Sequence, residues 1–115
     1  MLLGENSSAD YYPIIRYIYD ELKQYVIENS FAEHFKVTFI DVGGDGCLCM
    51  VQVHMIVRPT PDALGFVHIQ MDGDVIDLGP KDLLSRHPLT NPQAIANVVN
   101  MSKEWIASEF KQITP

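Results

Sequence analysis

The stretches Cys47-Leu-Cys-Met-Val-Gln-Val-His-Met-Ile-Val57 and Phe66-Val-His-Ile-Gln-Met71 decide the architecture. Both alternate with a period of two, the repeat of an extended strand with one covered face. Cys47, Cys49, Val51, Val53, Met55 and Val57 share one side of the first run, and Val67, Ile69 and Met71 one side of the second. Gln52, His54, His68 and Gln70 take the opposite side. The pattern predicts two paired strands in a sheet that is covered on one face and carries a polar patch on the other.

Working outward, Lys36 to Val42 reads as a strand before this pair. The turn Gly43-Gly-Asp-Gly46 joins them, since glycine and aspartate reach the positive φ values that hairpins need. The second strand is expected to run to Val57. Arg58-Pro-Thr-Pro-Asp62 reads as a loop, because proline cannot continue a ladder. Asp72-Gly73 is the strongest hairpin signal of the chain and predicts a fourth strand over Asp74 to Leu78. Gly79-Pro80 reads as the start of a short helical turn through Leu84, broken by His87-Pro88.

Two longer segments have helical periodicity. From a cap at Ser7 or Ser8, with Asp10 and Pro13 early, a helix is expected to reach about Asn29. Tyr11, Ile14, Ile15, Ile18, Leu22, Tyr25 and Val26 form its apolar stripe. Asn91-Pro92 is a start signal, with asparagine as cap and proline in the first helical position. That helix is expected to end near Ile113, burying Ile95, Val98, Val99, Ile106, Phe110 and Ile113. Two such helices need one apolar surface to cover. The expectation is an α+β two-layer sandwich: a four-stranded antiparallel meander, order 1-2-3-4, with the N-terminal and C-terminal helices on one face.

At 115 residues the chain reads as a single domain over 1–115, with 1–7 a loose start. Fifteen acidic and eight basic residues give a net charge of -7. The lysines and arginines are scattered, which argues against nucleic acid as a partner. No apolar run has membrane-spanning length, so no membrane association is expected. Cys47 and Cys49 lie i and i+2 on one strand, their Cα atoms roughly 6.5 Å apart. That suits a disulfide poorly and points to reduced thiols and a cytoplasmic setting.

Three groups of residues are candidate sites. Register arithmetic from the turns pairs His54 with His68, Gln52 with Gln70 and His68 with Asp77. It also sets Lys36 beside His54 and Thr38 beside Gln52. A row Lys36–His54–His68–Asp77 would result. Two histidines and a carboxylate can ligate a divalent metal or share a proton; an ordinary exposed sheet face carries the same residue types. The second group is acidic. Asp41, Asp45, Asp72 and Asp74 converge at the turn end of the meander, where a divalent cation could bind weakly or a basic partner could dock. The third is aromatic. All five tyrosines fall within residues 11–25; Tyr17 points away from the core stripe, Tyr12 and Tyr19 lie on its flank, and Met101 and Trp105 sit beside the stripe of the last helix.

Enzymatic signatures are weak. The glycines at 43, 44 and 46 precede a strand, whereas a phosphate loop precedes a helix. Asp72, Asp74 and Asp77 lack the glycine and the terminal glutamate of an EF-hand loop. No nucleophile-elbow pattern exists. The layout resembles that of small secretion chaperones and toxin-neutralising proteins, though such chaperones place a helix within the run of strands. The resemblance implies an inhibitor-, immunity- or chaperone-like role. The expectation is a non-enzymatic protein-binding module, requiring no cofactor. It would act through Gln52, His54, His68 and Gln70 on the sheet, Tyr17 and Trp105 on the helices, or Asp72 and Asp74 at the turn end. A homodimer through an edge strand or helix flank is a further expectation. The alternative is a metal- or small-ligand-binding protein or enzyme built on His54, His68 and Asp77.

Overall fold

A computed structural model describes residues 8–42, 48–56, 66–72, 74–79 and 85–113, with side chains described except at 8–12, 41–42, 48–49, 72 and 113. The element order is α1 (Ser8–Glu28), β1 (Phe35–Val42), β2 (Leu48–Met55), β3 (Phe66–Asp72), β4 (Val75–Gly79), β5 (Ser85–Pro88) and α2 (Ala94–Ile113). The strands form one antiparallel sheet in the order β1-β2-β3-β4-β5. Both helices lie on one face, α1 over β1 and β2, α2 toward β4 and β5. The fold is the expected α+β sandwich with one strand more than the sequence predicts. The loose start at 1–7, the turn at 43–46 with Cys47, the loop at 58–62 and the helical turn over 80–84 lie outside the described residues.

The core follows from the two periodicities. Ile15, Ile18, Leu22 and Val26 of α1 and Ala94, Val98, Val99 and Ile106 of α2 are buried. They meet Phe35, Val51, Val53, Met55, Val67, Ile69, Ile76 and Leu78 from the covered face. Phe31, Phe35, Trp105 and Phe110 close one end, with Phe31 and Phe110 centroids 4.4 Å apart. The one buried polar side chain among the described residues, Ser102, donates to Val98 O at 2.8 Å within its own helix.

Both helix ends are chemically defined. Asn91 Oδ1 accepts the Gln93 N–H at 2.9 Å, the expected asparagine cap with Pro92 in the first turn. At the end of α1, Phe31 N–H donates to Val26 O at 2.8 Å and Ser30 N–H to Ile27 O at 3.2 Å. This is a Schellman motif. Its left-handed position, normally glycine, is Ser30 with φ of 61°. Phe31 then stacks edge-on against Tyr25, 5.7 Å away, which supplies the apolar contact of the motif.

The fifth strand corrects the expectation that His87-Pro88 merely breaks a helical turn. Leu89 N–H donates to Asp74 O at 2.8 Å, which fixes the ladder phase of β5 on β4. With that phase, Arg86 and Pro88 turn their backbone groups away from β4. Proline is tolerated here because the missing N–H would have pointed outward.

Candidate functional site

The face turned away from the helices carries the residues singled out from sequence. Lys36 pairs with His54 and Thr38 with Gln52, as the register arithmetic expects. The next two pairings differ. His54 stands opposite Phe66 and Gln52 opposite His68. Asp72, not Met71, closes the hairpin, pairing with Val75, so His68 meets Gly79 and Asp77 meets Gln70. Each displacement is two residues, which changes the neighbours but keeps every side chain on its face. The predicted row Lys36–His54–His68–Asp77 is therefore replaced by three rows. These are Lys36–His54–Phe66, Thr38–Gln52–His68–Gly79 and Ile40–Met50–Gln70–Asp77–Arg86.

Phe66 separates the two histidines. Its ring centroid is 6.3 Å from that of His54 and 6.0 Å from that of His68, the latter edge to face. Among the described residues, no three His, Cys, Asp or Glu side chains assemble as a metal-binding group. The backbone of Gly79 explains where His68 sits. A Cβ at position 79 would stand 2.6 Å from His68 Nε2 and 2.9 Å from Cδ2. Glycine leaves room there for the Nε2–Cδ2 edge of the imidazole against β4.

A polar thread runs along β2. His54 Nε2 lies 2.9 Å from Gln52 Oε1, a hydrogen bond in the tautomer that carries its proton on Nε2. Gln52 Nε2 in turn lies 3.7 Å from Met50 Sδ. Across the sheet, Arg86 Nε is 3.1 Å from Asp77 Oδ1, an ion pair by distance. Oδ1 nonetheless receives no aligned hydrogen bond among the described residues. Arg86 is more than half exposed, so this pair contributes at most about 1 kcal/mol.

Around these polar groups the face is partly apolar. Ile40, Met50, Phe66 and Val75 share it with Thr38, Gln52, Gln70 and both histidines, all half-buried. Phe66 and Gly79 were missed from sequence as site residues. The period-two pattern places Phe66 with His68 and Gln70; no local signal distinguishes Gly79 from an ordinary strand end. The only described acid or base groups here besides the histidines are Lys36, Asp77 and Arg86. In a chain of net charge -7, this is a near-neutral surface, with most described acids on the helices and turns.

The remaining candidates are placed as follows. Tyr17 on α1 is 52% exposed, whereas Trp105 packs its ring edge-on to Phe35 at 6.0 Å and is half-buried. Tyr19 is half-buried against Phe39, centroids 5.6 Å apart. Asp41 and Asp72 reach the same end of the sheet as exposed Asp74; Asp45 lies outside the described residues. Cys49 stands opposite Asp41 on β1. Among the described residues no helix is long and apolar enough to cross a membrane. Comparison with protein-family models, with characterised proteins and with solved structures finds no match.

Proposed function

We propose that this chain is a non-enzymatic protein-binding module whose partner docks on the sheet face opposite the helices. The observation that carries this is the His54–Phe66–His68 cluster, half-buried beside Met50, Ile40 and Val75 on a face that no described element covers. Aromatic and methionine side chains with neutral hydrogen-bonding neighbours are the composition of an interface core, and dense charge is not. The face therefore suits a partner presenting apolar and aromatic side chains. The acidic turn end, with Asp72 and Asp74, supplies peripheral contacts and steering toward a partner with a basic rim. Cys47 and Cys49 as reduced thiols suit action in the cytoplasm. Self-association through an edge strand or helix flank is the second part of the reading.

The test compares capture by the wild type with capture by Phe66→Asp and Tyr17→Ala, each checked for native circular dichroism. One protein retained by wild type and Tyr17→Ala but lost with Phe66→Asp supports docking on this face. Equal capture by all three removes it.

A further inference from the structure

We infer that Ser85 and His87 form a nucleophile–base pair, and that Ser85 takes an acetyl group from an activated thioester. The step is a modification of the chain itself and asks for no turnover. It is independent of which protein docks at Phe66.

The pair arises from the alternation of β5. Residues i and i+2 of a strand share a face. Ser85 stands opposite Leu78 and His87 opposite Ile76, and both of these partners are buried in the core. The side chains of Ser85 and His87 therefore lie on the helix side of the sheet, where α2 packs on β4 and β5. Valine, isoleucine, leucine and methionine fill that side of β2, β3 and β4. A serine and a histidine there break the pattern that the neighbouring strands obey. Both are half-buried, so the pair keeps contact with solvent.

Ser85 Oγ lies 2.8 Å from His87 Nε2. In the tautomer that carries its proton on Nδ1, Nε2 accepts the serine O–H, the arrangement by which an imidazole activates a hydroxyl. From α2, Met101 Sδ approaches the same Oγ at 3.9 Å. A thioether is a weak acceptor, so the imidazole has the stronger claim on the serine proton.

Beside the serine is a place for a small acyl group. A cavity of about 20 Å³ lies between β3, β4 and α2, lined by Val67, Leu78, Met101, Ser102 and Trp105. Two of these residues adjoin Ser85: Leu78 is its cross-strand neighbour, and Met101 meets its oxygen. The Ser102 hydroxyl is spent on Val98 O at 2.8 Å, which leaves the lining largely apolar. A space of this size holds one water-sized group, and an apolar one suits a methyl better than water. The methyl of an acetyl group fits it. A longer chain does not.

The chemistry balances within the pair. Ser85 Oγ attacks the carbonyl carbon of the thioester as its proton passes to His87 Nε2. The Oγ–C bond forms, and the C–S bond breaks with its electron pair on sulfur. The thiolate takes the proton back from Nε2. The products are acetylated Ser85 and a free thiol, with His87 again neutral.

The experiment incubates the full chain with S-phenyl thioacetate and maps acetylation by peptide mass spectrometry against time. Ser85 is expected to react faster than any other hydroxyl of the chain. His87→Gln keeps a hydrogen-bond acceptor but no base. Checked for native circular dichroism, it should slow acetylation of Ser85 by about 100-fold or more and leave that of the lysines unchanged. The phenyl thioester of octanoic acid should leave Ser85 of the wild type unmodified. A wild type in which Ser85 reacts no faster than the other hydroxyls overturns the proposal, and the pair then only satisfies its own hydrogen bond. So does an unchanged rate at Ser85 in folded His87→Gln, or octanoylation as fast as acetylation. The two wild-type arms decide the matter whether or not the variant folds.

Discussion

Gly79→Ala tests the seating of His68 with a worked magnitude. The backbone at 79 lies outside the left-handed region, so alanine itself is unstrained there. On conformational entropy alone, the change should stabilise by about 0.5–1 kcal/mol. The new Cβ, however, stands 2.6 Å from His68 Nε2 and 2.9 Å from Cδ2. Ordinary contact begins near about 3.5 Å, so the ring must move by about 1 Å. Forcing the imidazole off its rotamer costs about 0.5–1.5 kcal/mol. Parting it from the Phe66 ring, now 6.0 Å away, forfeits up to about 0.5–1.5 kcal/mol more. The balance is a loss of about 1 kcal/mol, or about 3–6 °C in Tm. Thermal and urea unfolding followed by circular dichroism measure this. In a His68→Ala background the obstruction is gone, and Gly79→Ala should then be neutral or stabilising. The double-mutant cycle should show a coupling of about 1–2 kcal/mol. Equal loss in both backgrounds, or a gain from Gly79→Ala alone, would refute the argument.

Four further predictions concern stability, each read by urea unfolding. Ser30→Gly should stabilise by about 1 kcal/mol, because Ser30 holds the left-handed position of a Schellman motif at φ of 61°. Asn91→Ala should cost about 1 kcal/mol through loss of the cap on Gln93 N–H. Leu22→Ala, at a fully buried position of α1, should cost about 2–5 kcal/mol. Ile27→Ala on the exposed flank of the same helix should change monomer stability by less than about 0.5 kcal/mol.

The elements that were legible in the sequence are those with a physical period. The stripes of α1 and α2 and the alternation of β2 and β3 follow from burial on one side, and the Asn91 cap from a local hydrogen bond. Register was legible only in part. Asp72-Gly73 locates the hairpin, but the ladder closes at Asp72 and Val75, with residues 73–74 between them. Between the second and third strands the sequence offers no tight-turn signal to count from, and His54 meets Phe66 where the arithmetic chose His68. Parity survived both shifts, and with it the face of Gln52, His54, His68, Gln70 and Asp77, because a two-residue slip preserves alternation. β5 was not legible. Ser-Arg-His-Pro has no apolar alternation, and proline signals a break unless its outward orientation is known. Ser30 left no signal either, since serine is not the residue that a left-handed cap calls for.

The central claim is that the helix-free face, through Phe66, is where a partner protein docks. The most direct test replaces Phe66 with a photo-crosslinking phenylalanine analogue in the native host, with the same substitution at Tyr17 as reference. The account predicts a discrete adduct with another protein from position 66. No protein adduct from position 66, with adducts forming from Tyr17 instead, would contradict it.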